Sequence, residues 1–383
     1  MPVALPALQE RELRARVSPV GCLGLAARGC KLTVAMFGLS PLPRTLRAAL
    51  SDARDRKVRV RRAAVVDLGR HAEASDGLEA RGELARILGE DADPSVRREA
   101  AGALGSARAL ESTDALLKAL ADEALEVRQM AILALGEVGA SGPEVVSAIE
   151  RFLAAEGPAF RFQALLALTQ IQPEAARSQL LRATRDDDLE VAYLAIRLLD
   201  EHWLSAGKDT EEIATALRQQ AAHESSRIRL AVGLALVRRE LALATSIISD
   251  VLNATFKIRD LEDELAAIEL AGELGMQAAM PGLRRRAFPP PYSVKNSFVW
   301  HATTSLARLG DAEAQAAILK GLGAWSRDKR HFAVVAAGVA RVPGARARLE
   351  AMRGDPRAVD PETLAAALAC FTSPSGVNRG HER

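Results

Sequence analysis

The stretch DPSVRREAAGALG at residues 93–105 recurs in altered form along most of the chain. KVRVRRAAVVDLG at residues 57–69 precedes it, and ALEVRQMAILALG at residues 124–136 follows it. Repetition at a nearly constant period is typical of a repeat array, in which each unit buries its apolar face against its neighbours. The stretch therefore predicts the fold class.

The leucine before the last glycine of each copy defines a register along the chain. It recurs at intervals of 31 to 38 residues, and an apolar anchor stands eight residues before each of the first six leucines. Offsets of four and eight residues place anchor and leucine on one helix face. The leucines are Leu68, Leu104, Leu135, Leu168, Leu199, Leu236, Leu274 and Leu309, and the anchors are Val60, Val96, Val127, Phe160, Val191 and Ile228.

Each copy is followed by a turn and a second amphipathic stretch, as at residues 111–122. Asp93 before Pro94 and Asp360 before Pro361 place a capping carboxylate ahead of proline at the first helical position. One repeat is therefore one helix hairpin. We expect an all-α protein, an α-solenoid of about eight to nine helix-pair repeats over residues 41–371.

The pattern D-P-x-V-R-x-x-A-x-x-A-L-G resembles HEAT repeats of the short phycobilisome-lyase-like type, over roughly residues 57–351 and one further helix at residues 361–371. The resemblance implies stacked helix pairs with a curved binding face. It does not imply one function, because such repeats occur in scaffolds, lyase subunits, a hydroxylase and DNA-repair enzymes.

The resemblance also implies that the arginine after each anchor pairs with an acidic residue at the neighbouring turn and so forms a ladder. A row of cations facing a ligand is the alternative. Ala192 interrupts the series. The ladder positions are Arg61, Arg97, Arg128, Arg161 and Arg229.

The two ends of the chain differ from the repeats. Residues 1–40 are expected to be a poorly ordered leader, with Met36 as a possible start of translation, and residues 372–383 a flexible tail. The apolar stretch within the leader is interrupted by Arg28 and Lys31, so it is too polar to span a membrane.

Composition limits the classes of function. Of the 383 residues, 49% are hydrophobic but only 4% aromatic, so Ala, Leu and Val must form the core. The net charge of +2 gives no general attraction to nucleic acid or membrane. Cys22, Cys30 and Cys370 form no CxxC pair, which favours a reducing cytoplasm. The Ala- and Arg-rich sequence favours a bacterial source.

Residues suited to catalysis are sparse. A diiron hydroxylase of the HEAT class needs several His-Glu pairs, and within the repeats this chain has only His223-Glu224. Trp203, Trp300 and Trp325 could handle a base in a DNA-repair enzyme, but tryptophans in helical arrays are more often core. The sequence has no GxSxG and no P-loop. We therefore predict no catalytic residue, no metal and no cofactor.

Two segments depart from the repeat and are candidate partner-binding sites. Residues 41–62 are rich in arginine, including Arg56 and Arg59, which suits either a polar terminal cap or an anionic partner. Residues 284–300 contain three prolines, which predict a loop outside regular helix. The contact residues proposed there are Arg284, Arg285, Arg286, Phe288, Tyr292 and Trp300.

The sequence therefore predicts a non-catalytic, cytoplasmic scaffold or adaptor that binds a protein through the curved face of its repeats. A HEAT-type enzyme, lyase-like or hydroxylase-like, is the alternative, as is a protein that binds or repairs nucleic acid.

Overall fold

The computed structural model describes residues 43–154, 157–208, 211–255, 258–290, 298–354 and 359–372. The expected leader, the tail from residue 373 onward and Tyr292 lie outside these ranges. Twenty α-helices and no strand are found in the described residues, so the all-α expectation is confirmed. None of these helices is long and apolar enough to cross a membrane.

The chain forms two compact units, Met1–Ala216 and Leu217–Arg383, and the boundary falls within a helix. The helices up to this boundary are α1 Leu46–Asp52, α2 Val58–Ala72, α3 Leu78–Glu90, α4 Pro94–Ser106, α5 Thr113–Ala119, α6 Leu125–Val138, α7 Pro143–Ala154, α8 Pro158–Ile171, α9 Pro173–Ala183, α10 Leu189–Leu199 and the boundary helix α11 Glu211–Gln220. Those of the second unit are α12 Ser226–Leu236, α13 Leu241–Asn253, α14 Leu261–Glu273, α15 Met280–Ala287, α16 Val299–Arg308, α17 Ala312–Gly321, α18 Arg327–Val339, α19 Ala345–Ala351 and α20 Pro361–Thr372.

The even-numbered helices are the first helices of the repeats. In the first unit, α2, α4, α6, α8 and α10 pack side by side in one layer, and α1, α3, α5, α7 and α9 pack against them. In the second unit, α12, α14, α16, α18 and α20 form the corresponding layer. The described helices thus make nine helix pairs, from α2–α3 to α18–α19, followed by α20. This agrees with the predicted eight to nine repeats.

Glycines allow neighbouring first helices to approach closely. A Cβ atom on Gly105 would lie 2.9 Å from the Cα of Ala134, and one on Gly136 would lie 2.8 Å from the Cα of Ala167. In the second unit a Cβ on Gly272 would lie 2.7 Å from the Cα of Ser305. The backbones therefore meet where a side chain would otherwise stand, which explains a core built from small residues.

The N-cap residues fix the register, and they correct one predicted position. In α2, α4, α6, α8, α10 and α12 the register leucine is the eleventh residue after the N-cap, and it is buried. In α14, whose N-cap is Asp260, that position is Ala271, which is fully buried. Leu274, predicted from leucine spacing, is the C-cap and is 38% exposed. The prediction from leucine spacing was wrong because α16 packs so close to α14 here that an alanine fills the buried register position.

We predict that Gly136→Ala destabilises the protein by about 1–3 kcal/mol, because the new methyl group would overlap the backbone of α8. Its matched control is Gly82→Ala inside α3, where nothing lies within 4 Å of the added Cβ. There alanine is the better helix former, so stability should rise by about 0.5–1 kcal/mol. Urea unfolding followed by circular dichroism distinguishes the two effects. A stabilising Gly136→Ala would contradict the close approach.

Candidate functional site

Arginines of three first helices form bidentate ion pairs with aspartates in the turn that ends the same repeat. Arg61 binds Asp91 at 2.7 and 2.8 Å. Arg97 binds Asp122 with both distances at 2.8 Å. The third pair is Arg161 with Asp186, at 2.7 and 2.6 Å. Each arginine is the fourth residue after the N-cap of its helix.

Each aspartate also organises the start of the next first helix. Asp91 accepts a hydrogen bond from the backbone N–H of Asp93, Asp122 from that of Ala124, and Asp186 from that of Asp188, each at 2.9 Å. Two of these arginines reach backwards as well: Arg97 donates to the carbonyl oxygen of Asp91 at 2.8 Å, and Arg61 to that of Asp55 at 3.1 Å. One side chain therefore joins the turn before its repeat to the turn after it. We call such an arginine and its partners a rung.

The rungs keep their aspartates ionised. Burial alone would raise the pKa of Asp122, but the hydrogen bond from Arg97 and the backbone N–H of Ala124 bring it below the ordinary value. The pKa values of Asp91 and Asp186 are lowered by the same balance. Each pair commits Nε and Nη2 of its arginine to the aspartate, which favours a structural role over a row of cations facing a ligand.

The other two predicted ladder arginines have different contacts. Arg128 lies 5.2 Å from the ring centroid of Phe160, and its buried Nε has no hydrogen-bond partner among the described residues. Arg229 donates to the carbonyl oxygens of His223 and Glu224 at 2.6 and 2.9 Å, which is the backward half of a rung.

The repeat of α14 carries the rung with its charges exchanged. Its fourth residue after the N-cap is the buried Glu264, which accepts from Nε of the equally buried Arg286 at 2.7 Å. Arg286 also donates to the carbonyl oxygen of Leu252 at 2.8 Å. The assignment of Arg286 to a partner-binding surface is therefore corrected, because a partner cannot reach a side chain enclosed in this way.

Arg284, Arg285 and Phe288 also have intramolecular contacts. Arg284 to Ala287 continue helix α15, so the predicted loop begins only after them. Arg284 pairs with Asp311 and Glu313 and lies 5.6 Å from the ring of Phe288. Arg285 donates to the carbonyl oxygen of Asn253. The proline run lies too late in the segment to interrupt the helix that carries the arginines.

The first helix of the ninth repeat presents an apolar face to solvent. Phe332, Val335 and Val339 of α18 lie at helical spacing and are all exposed, with Phe332 at 48%. The ring of Trp300 from α16 stacks on Phe332 at 6.0 Å between centroids. We call these four residues the apolar face. Trp325, in the turn before α18, is 96% exposed.

Of this face, sequence reasoning proposed only Trp300, and it missed the three residues of α18 because that helix departs from the repeat pattern. Lys329 stands at the anchor position and Ala337 at the leucine position, so the copy does not match the register. The missed signal was a helix with two apolar sides, since Ala333, Val334, Ala336 and Ala337 are buried while the apolar face is not. Trp203, by contrast, is buried, as expected for a core tryptophan.

Arg56 and Arg59 of the arginine-rich segment are exposed at the start of α2. In the described part of the chain, no group of three or more His, Cys, Asp or Glu side chains is placed to hold a metal ion. His223 accepts a hydrogen bond from the backbone N–H of Ser225 at 2.9 Å and so occupies the place that aspartate takes in the rungs.

Residues 43–125 and 113–200 match the family model of HEAT repeats. No curated protein matches the chain. Among solved structures, an engineered protein is 18% identical with a TM-score of 0.41, covering 86% of this chain and 99% of that one. YibA of Escherichia coli is 16% identical with a TM-score of 0.47, and the match covers 77% of this chain and 97% of that one. A chain from the complex of CpcE and CpcF of phycocyanin lyase from Nostoc sp. is 18% identical with a TM-score of 0.33. The match covers 72% of this chain and 92% of that one.

We predict that Arg97→Leu lowers the free energy of unfolding by about 2–3 kcal/mol, because Asp122 and two turn carbonyls lose their buried donor. The control Arg346→Leu removes an arginine from an exposed pair with Glu350 and should change stability by less than about 0.5 kcal/mol. Urea unfolding measures both. Equal effects would show that the rung adds no more than a surface ion pair.

Acid should weaken the rungs. An aspartate with a lowered pKa stabilises the fold above its unfolded pKa of about 3.9, and this contribution is lost as the pH falls through its folded value. We therefore expect the melting temperature to fall between about pH 5 and pH 3, with a smaller fall in Arg97→Leu, where Asp122 has lost the donor that lowers its pKa. Parallel curves for the two proteins would contradict this role.

Proposed function

We propose, on the premise that this chain belongs to the HEAT-repeat proteins, that it is a non-catalytic, cytoplasmic scaffold or adaptor that binds another protein. The observation that carries the proposal is the apolar face formed by Trp300, Phe332, Val335 and Val339. The cytoplasmic part of the proposal rests on the sequence, in which the three cysteines are widely spaced and form no CxxC pair.

The apolar face is only about half covered by the described residues. The core side of α18 is filled by Ala333, Val334, Ala336 and Ala337, while Phe332, Val335 and Val339 remain 48%, 40% and 42% exposed. Each square ångström of apolar surface removed from water contributes about 25 cal/mol, and contiguous exposed patches mark interaction sites. A protein partner that covers the face would gain this free energy.

The residues around the face favour a surface for binding over one for chemistry. Trp300 and Phe332 stack nearly in parallel, with an angle of 16° between ring planes, and form a flat platform. Aromatic residues such as these are enriched at the buried centre of protein–protein interfaces.

The test is photo-crosslinking in the cell of origin, with benzoylphenylalanine at position 332 or, as a control, at position 241. Phe332 is 48% exposed and Leu241 is 50% exposed, so the two probes are equally accessible. We expect one protein to crosslink at position 332 and not at 241. In the same protein, Val335→Asp should abolish this crosslink, because a carboxylate in an apolar contact costs several kcal/mol.

A crosslink that is equal at both positions, or that survives Val335→Asp, would contradict the proposal. Folding is checked separately by circular dichroism and melting temperature. Val335 is 40% exposed and lies outside the core, so Val335→Asp should keep the melting temperature within about 4 °C of the unchanged protein.

A further inference from the structure

In the first unit, the exposed sides of α1 and of the start of α2, with the turn between them, carry cations that form no ion pair within the described chain. Four arginines of this region are paired: Arg44 with Asp52 and Asp67, Arg54 with Glu83, Arg61 with Asp91 and Arg70 with Asp67. Five further cations are exposed and form no ion pair with any described residue. These five, which we call the cationic face, are Arg47, Arg56, Lys57, Arg59 and Arg62.

Their position is unfavourable for the isolated protein. Lys57 is the N-cap of α2 and makes no side-chain capping bond, and no acidic residue stands in the first turn. Cations at a helix N-terminus oppose the helix dipole, and like charges three residues apart, as in Arg59 and Arg62, repel each other. By contrast, α4 and α10 begin with capping aspartates. A local arrangement that costs stability without an internal gain points to a binding role.

We propose that the cationic face binds an acidic segment of a partner polypeptide, at a site separate from the apolar face of the second unit. Carboxylates suit exposed arginines because the guanidinium group can bind both oxygens of one carboxylate. The glutamates and aspartates of the segment would form ion pairs with these five side chains, which have none within the described chain.

An acidic polypeptide fits this surface better than a nucleic acid does. Arg59, Arg62 and Arg70 lie on one side of α2 together with Val66, an exposed apolar residue four positions after Arg62. An apolar contact among the cations suits a segment that carries leucine or valine beside its carboxylates. Residues 43–90 contain no Phe, Tyr or Trp on which unpaired bases could stack.

The test measures fluorescence anisotropy of a labelled amphipathic peptide of about 20 residues, made of glutamate and leucine, at about 50 mM salt, where surface charges are weakly screened. Arg59→Gln/Arg62→Gln should weaken binding about fivefold, and Arg59→Glu/Arg62→Glu more than about tenfold. The control Lys118→Gln/Arg182→Gln removes the same charge from the same unit and should change the affinity less than about twofold.

Loss of fold cannot account for the expected result. Glutamate at position 59, in the first turn of α2, is favoured by the helix dipole, and position 62 is exposed, so Arg59→Glu/Arg62→Glu should melt no lower than the unchanged protein. Val335→Asp should leave peptide binding unchanged, which separates this surface from the apolar face. Three results would overturn the proposal: no peptide binding by the unchanged protein, equal weakening in the Lys118/Arg182 control, or tighter binding of random-sequence duplex DNA of similar charge.

Discussion

The rung of arginine and aspartate is the constraint on which the repeats depend. In one geometry, Arg97 satisfies the carbonyl oxygen of Asp91 and both oxygens of Asp122, and Asp122 in turn holds the first N–H of the next repeat. These are polar groups in tight turns, where unmet hydrogen bonds would cost about 1–3 kcal/mol each. The rung lets short turns connect helices packed as closely as Gly105 and Ala134 allow.

The rung tolerates changes that keep its hydrogen bonds. Glu264 and Arg286 exchange the charges of the pair, and His223 replaces the aspartate that holds an N-cap N–H. Because stacking is secured by these groups and by small core residues, the solvent side of each first helix is free to vary. In the first unit that side is cationic on α2, and in the second unit it is apolar on α18.

The repetition of leucine and glycine was enough to predict an all-α array, its repeat number and the positions of most first helices. It could not place Leu274, because the register there is carried by Ala271, a residue too common to act as a mark. It could not distinguish Arg286 from Arg284, because their environments depend on partners 22 and 27 residues away in sequence. The exposure of Phe332 was also out of reach, since Lys329 and Ala337 at the anchor and leucine positions leave this copy without a readable register.

Helix α18 shows how the rung can serve binding as well as folding. This helix carries Lys329 and Ala337 at the anchor and leucine positions of the repeat and places Phe332 and Val335 outside. Its exposed apolar side chains are therefore larger than most of its buried ones. Large side chains could not replace the small ones on the inner side, because a Cβ atom on Gly338 would lie 2.6 Å from the Cα of Ala367 in α20. Arg330 also fixes the helix to its preceding turn, because it donates to the carbonyl oxygens of Ala324 and Trp325 at 2.6 and 2.8 Å. The backward half of the rung and the close contact with α20 therefore both hold the apolar face toward solvent, where a partner can reach it.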